Sequence, residues 1–117
     1  MKTYREIICW QKAIELVKSI YKITNNFPQS EQFGLTSQLR RAAISIPSNI
    51  AEGFGRSSNK EFRRFLEISR GSLFELQTQL FISKELGFII SKSYDMIYEQ
   101  TREVERILIG FINSLKV

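Results

Sequence analysis

Between Gly34 and Arg56 the apolar residues fall at Leu35, Leu39, Ala42, Ala43, Ile46 and Ile50. Steps of three and four predict a helix with one buried face. Beside that face runs a polar stripe, Arg41, Ser45, Asn49 and Glu52, whose spacing aligns it along the same helix. Pro47 lies among them. A proline removes a backbone donor and crowds the preceding turn, so a kink or a short break is expected near Ala43 to Pro47. Gly53 and Gly55 permit the left-handed backbone that ends a helix, which puts the end near Phe54.

Three further helices follow from the same periodicity. Trp10, Ala13, Ile14, Val17, Ile20, Tyr21, Thr24 and Phe27 keep one face over four turns, and the capping box Thr3-x-x-Glu6 predicts a start near Tyr4. Asn25-Asn26 and Pro28 end this helix. The connection from Gln29 to Gly34 has room for a short turn at Ser30 to Phe33. The second helix begins either at Ser30 or at a Thr36 cap. Ser58-x-x-Glu61 caps the third helix, expected from Asn59 to Leu86 with a main stripe of Phe62, Leu66, Ser69, Leu73, Leu76, Leu80 and Ser83. Gly71 within it costs about 1 kcal/mol relative to alanine and, with Ser72, suggests a close helix crossing. Gly87 followed by Phe88 reads as a glycine stop. The fourth helix is expected to be capped by Ser91 or Ser93, with Asp95 in its first turn. Tyr94, Ile97, Thr101, Val104, Leu108, Phe111 and Leu115 alternate by threes and fours, the seam of a left-handed bundle. No strand-like alternation or repeat is present. The expected fold is all-α: a single domain, residues 1–117, forming an antiparallel up-down-up-down four-helix bundle.

The polar stripe of the second helix needs a partner, and Glu75 on the secondary stripe of the third can supply it. A carboxylate accepts two donors from one guanidinium, so Glu75 is expected to pair with Arg41, and Ser45 or Asn49 to bond Ser72. With Glu52, these six residues read as a polar network that fixes how the second and third helices meet. A ligand or nucleic-acid site is the competing reading. Phe74, Phe81 and Phe88 repeat every seven residues off the main stripe, and Ile107, Ile109 and Ile112 add apolar surface beside the heptad seam. A bundle needs one stripe per helix. The surplus predicts a self-association surface, with Phe74, Phe81, Phe88, Ile109 and Ile112 as its candidates. Wide core-facing helix sides are the alternative.

Charge adds a second candidate surface. The chain carries a formal +5, and seven basic against three acidic residues fall between Thr36 and Arg70. Arg56, Lys60, Arg63, Arg64 and Arg70 are the candidate contacts for a phosphate backbone; for any one of them a solvated face is the simpler reading. Phe54, Phe62 and Phe65 interleave at core spacing, so they are not read as base-stacking platforms. The 117 residues suffice for one core. No apolar run approaches the ~20 residues of a membrane span. The first residues lack a signal peptide's apolar stretch, and the one cysteine, Cys9, cannot form an internal disulfide, so a cytoplasmic location without membrane contact is expected.

An enzyme is not expected. There is no histidine, and Cys9 has no base partner, so nucleophile–base pairs and zinc clusters are missing. Gly53-Phe54-Gly55 is not a nucleotide loop, because no strand precedes it. No metal or cofactor is implied.

The run QLRRAAISIPSNIAEGFGR, preceded by Trp10, Ala13, Leu16, Ile20, Phe27-Pro28 and Gly34-Leu35, and followed by Glu61-Phe62, Phe65-Leu66, Gly71-Ser72 and Glu75, resembles the 23S rRNA intervening-sequence proteins. These are small bacterial four-helix bundles whose biochemical role is undefined. The sequence is also similar to the accessory variability determinant proteins of diversity-generating retroelements. That likeness implies a basic five-fold barrel, hence a homopentamer that contacts RNA or DNA and a protein partner such as a reverse transcriptase. Two functions are carried forward: a basic oligomer that binds structured nucleic acid or a ribonucleoprotein through Arg56 to Arg70, and a structural homo-oligomer that recognises protein alone.

Overall fold

The computed structural model describes residues 1–117. Four helices account for most of the chain: α1 (Ile8–Thr24), α2 (Leu35–Phe54), α3 (Asn59–Glu85) and α4 (Ser91–Ser114). Each packs on its neighbour in sequence and α1 closes the ring against α4. The cross-links run in opposite directions along each pair. Between α2 and α3, Ser45 meets Ser72 while Gln38 meets Gln79. Between α3 and α4, Asn59 meets Lys116, Phe62 meets Phe111 and Phe81 meets Tyr94. The α2–α3 and α3–α4 pairs are therefore antiparallel. The long dimension is 43 Å, close to the ~40 Å that 27 residues of α3 span at 1.5 Å each.

The predicted stripes become one core of 21 buried residues. Leu16, Ile20, Leu39, Ile46, Ile50, Leu66, Leu73, Leu76, Leu80, Val104 and Leu108 are sealed from solvent. Ile112, expected at the outer surface, is also core, at 1% exposed. Phe88 likewise turns inward and packs on Phe27, ring centroids 5.6 Å apart. The heptad ladder of phenylalanines ends where α3 ends, because the chain reverses at Gly87.

That reversal matches expectation. Gly87 has φ +83, its N–H donates to Lys84 O, and Phe88 N–H donates to Ser83 O. Two orphan carbonyls of the last turn are thereby satisfied.

The other termini depart from the sequence reading. Thr3 and Glu6 do form a capping box, but it closes a 3-10 turn at Tyr4–Glu6, and α1 starts later, at Ile8. A second 3-10 turn, Gln29–Glu31, precedes α2, whose first amide is capped from outside: Leu35 N–H donates to Glu31 Oε1 at 3.0 Å. Thr36 is not the cap; it is buried in the first turn. Ser58 caps α3 as expected, accepting from Glu61 N–H. Ile90 stands before α4 with no side-chain cap, so neither Ser91 nor Ser93 serves that role.

Helix α2 runs through Pro47 without a break. Gly55 has φ −79 and Gly53 lies inside the helix, so neither supplies a left-handed stop. Gly53 instead makes the close crossing: a Cβ there would sit 2.7 Å from Phe65 Cβ and 2.9 Å from Phe62 Cδ1. Gly71, where the crossing was expected, faces open space with nothing within 4 Å.

Candidate assembly and nucleic-acid surfaces

The α2–α3 seam carries the polar network, in altered form. Ser45 and Ser72 hydroxyls bond at 2.9 Å. Asn49 Nδ2 donates to Ser45 O and Oγ within its own helix, at 2.8 and 3.0 Å. Beneath them, the buried Ser69 hydroxyl donates to Ile46 O at 2.9 Å, one residue before the proline. The Arg41–Glu75 pair is absent. Both side chains are exposed and neither forms an ion pair or side-chain hydrogen bond; they sit on a shared cleft of ≈310 Å³ with Gln38, Ser45 and Gln79. Water competes fully for charges at such a position, so a direct bond gains little. Glu52 leaves the network as well and pairs with Arg56 at 2.7 Å. Serine hydroxyls and a buried Gln79, whose Oε1 has no partner, replace the expected charge lock.

Three of the five basic candidates are neutralised. Arg56 pairs with Glu52, Arg64 with Glu61 at 3.3 Å, and Arg70 with Glu67. Each carboxylate lies three or four residues before its arginine, on the same helix or at its end. The Arg56 and Arg64 guanidinium groups also lie over the Phe65 ring, each 4.7 Å from its centroid. Phe65 is therefore a core residue that also seats two cations. Lys60 and Arg63 are exposed and form no ion pair. Of the five candidates, these two carry the uncompensated charge.

Of the five assembly candidates, two are displayed: Phe74 is 43% and Phe81 49% exposed. Ile109 is half-buried. Ile82, Leu86 and Ile90 are exposed as well, near the pole where α3 ends. Phe81 is steadied by Tyr94, edge-on at 6.4 Å, and Tyr94 stacks on Tyr98 at 5.7 Å.

Other features were missed by periodicity. Arg40 Nε donates to Thr24 Oγ1 at 2.9 Å and Nη2 to Asn25 Oδ1 at 3.1 Å, with its guanidinium 4.5 Å from the Tyr21 ring centroid. This clamp ties the end of α1 to the start of α2 across a loop, a separation at which helical spacing is silent. Gln77 Nε2 similarly bridges α3 to α4, donating to Thr101 Oγ1 and Glu105 Oε1. Cys9 is buried, and burial pushes its thiol up to about 12. No three His, Cys, Asp or Glu side chains are grouped so as to hold a metal ion, and no helix is long and apolar enough to cross a membrane.

The sequence profile of the 23S rRNA-intervening sequence proteins matches residues 5–110. The chain belongs to that family. Among solved structures, it is similar to a crystal structure of a protein of unknown function from the S23 ribosomal protein family, from Bacteroides thetaiotaomicron. The two share 25% identity and a TM-score of 0.81, over 91% of this chain and 99% of that one. A comparison with curated proteins gives no match. Family membership thus agrees with the helical bundle and with the central motif on α2.

Proposed function

We propose that this family member is a non-enzymatic helical-bundle scaffold that self-associates in the cytoplasm through the outer face of α3. The observation that carries the reading is the pair of displayed rings, Phe74 and Phe81, one heptad apart on α3, with Ile82 and Leu86 also displayed at 41% and 59% exposure. Large apolar side chains displayed in this way favour association between chains. A ring of five is the favoured assembly, as the resemblance to retroelement accessory proteins implies. Such a ring uses a head-to-tail interface, with the α3 face of each copy against a different surface of the next. The absence of enzymatic chemistry in this reading rests on inventory: no histidine and a sole thiol that burial keeps protonated.

Sedimentation velocity tests the reading. Wild type is expected near five times its 13.7 kDa mass, and Phe74→Glu with Phe81→Glu near a single copy. A wild type that stays monomeric at tens of micromolar overturns it.

A second reading, nucleic-acid contact, is favoured by Lys60 and Arg63 and by the paired arginines on Phe65. A structured RNA or a ribonucleoprotein partner is the proposed ligand. Its affinity should fall steeply with salt, since each phosphate contact releases a counterion. Lys60→Glu with Arg63→Glu should abolish binding. No binding of structured RNA at low salt removes this contact and leaves the protein-only scaffold.

A further inference from the structure

At the pole where α1 ends and α2 begins, Tyr21, Gln32, Phe33, Ser37, Arg40 and Arg41 line an open cleft of ≈480 Å³. Sites for small ligands span roughly 300–1,000 Å³. Two guanidinium groups share the cleft, and neither forms a salt bridge. Arg40 is oriented by neutral groups alone: the Thr24 hydroxyl, the Asn25 amide oxygen and the Tyr21 ring. Its direction is fixed while its charge stays uncancelled. A guanidinium has five N–H donors, so donors remain for a ligand. From Leu16 to Ala51 the chain holds one acidic residue, Glu31, and its carboxylate is turned to the Leu35 amide. Across the α2–α3 seam, Glu75 shares a neighbouring cleft with Arg41 but forms no ion pair with it, so the two guanidinium groups remain the cations that a ligand in this cleft meets.

Phe33 completes the chemistry. It is 90% exposed, more than any other large hydrophobic residue of the chain. Nothing in the core uses it. A free aromatic face beside two cations suits a ligand with a planar ring and an anion. Arginine takes phosphate in a fork, and an aromatic side chain takes any base face.

We propose that this cleft binds a nucleotide unit, its phosphate between Arg40 and Arg41 and its base against Phe33. The site is independent of the Lys60 and Arg63 surface, which lies at the opposite pole, where α3 begins. A free mononucleotide and an unpaired nucleotide of a single-stranded RNA present the same chemistry.

Calorimetric titration of the full chain with inorganic phosphate, uridine 5′-monophosphate and an oligouridine tests the assignment. Wild type should bind the nucleotide more tightly than phosphate. Phe33→Ala, at an exposed position, should weaken nucleotide binding about ten-fold and leave phosphate binding unchanged. Arg41→Ala, also exposed, should weaken both. Lys60→Glu with Arg63→Glu should alter neither. Tighter binding of the oligouridine than of the mononucleotide assigns the strand as the source, and equal binding assigns the free nucleotide; both support the site. No saturable nucleotide binding by wild type, or wild-type affinity in both Phe33→Ala and Arg41→Ala, overturns it. So does loss of mononucleotide binding in the Lys60, Arg63 variant, which would move the ligand to the other pole.

Discussion

Two glycines in helices of the same bundle should respond to the same substitution with opposite sign. At Gly71 an added Cβ meets nothing within 4 Å. Alanine there gains only helix propensity, about 1 kcal/mol in an exposed helix interior. At Gly53 the added Cβ falls 2.7 Å from Phe65 Cβ, 2.9 Å from Phe62 Cδ1 and 3.2 Å from Phe62 O. Two of those atoms belong to the α3 backbone or sit directly on it, so no side-chain rotation relieves the overlap. Relief needs α2 and α3 to move apart, and overpacking of this kind costs about 1–3 kcal/mol. Gly53 is also one residue from the helix end, so alanine gains less propensity there. Urea denaturation followed by helical circular dichroism, at one fixed protomer concentration because assembly adds apparent stability, measures both variants. Gly71→Ala should raise the midpoint and Gly53→Ala should lower it, with thermal midpoints moving about 4 °C per kcal/mol. Equal shifts in the two variants would refute the close crossing at Gly53.

The remaining expectations concern the seam and the thiol. Ser45→Ala should cost about 1 kcal/mol, because the Ser72 hydroxyl is left half-buried without its partner, and Ser72→Ala should cost less, because Ser45 Oγ still accepts from Asn49 Nδ2. Arg41→Ala and Glu75→Ala should each fall within about 0.5 kcal/mol of wild type in the same urea assay; a strong coupling between them in a double-mutant cycle would restore the ion pair the geometry lacks. Cys9 should resist iodoacetamide in the native state at pH 8. Its folded pKa lies above the unfolded value, so its contribution is intact below about pH 9. It is lost as pH rises toward 12, at up to about 1.4 kcal/mol per pH unit. A Cys9→Ala variant whose stability falls just as steeply over that range as wild type would contradict this.

Helix number, extent and buried faces were legible because each helix keeps one apolar stripe at a period that only a helix satisfies. Leu39, Ile46 and Ile50 on α2, and Leu66, Leu73 and Leu80 on α3, sit where that period puts them. The helix beginnings were less legible. Ser91 and Ser93 have the chemistry of caps, but Ile90 takes that position, and a capping box at Thr3 closes a shorter turn. Local composition permits a cap; packing decides where the helix starts. The Arg41–Glu75 pairing failed for a related reason. Opposite charges on facing stripes indicate neighbours, yet both side chains reach water, where glutamates one turn away held Arg56, Arg64 and Arg70 instead. Spacing cannot distinguish a carboxylate across a seam from one along the same helix. The Arg40 clamp was invisible because it joins residues across a loop, and Phe88 was misassigned because the heptad count ignores the reversal at Gly87.

The hydrogen bond from Asn59 Nδ2 to Lys116 O holds the end of α4 beside the start of α3, and Met1 shares a cleft with Ile107 and Phe111. Both chain ends therefore leave the bundle at one pole, and Phe33 and Arg40 occupy the other. A purification handle or fluorescent fusion can be placed at either end without shading the nucleotide cleft. A short linker joining Val117 to Met1 should likewise be tolerated, which makes circularly permuted versions of this bundle a practical way to reposition its loops.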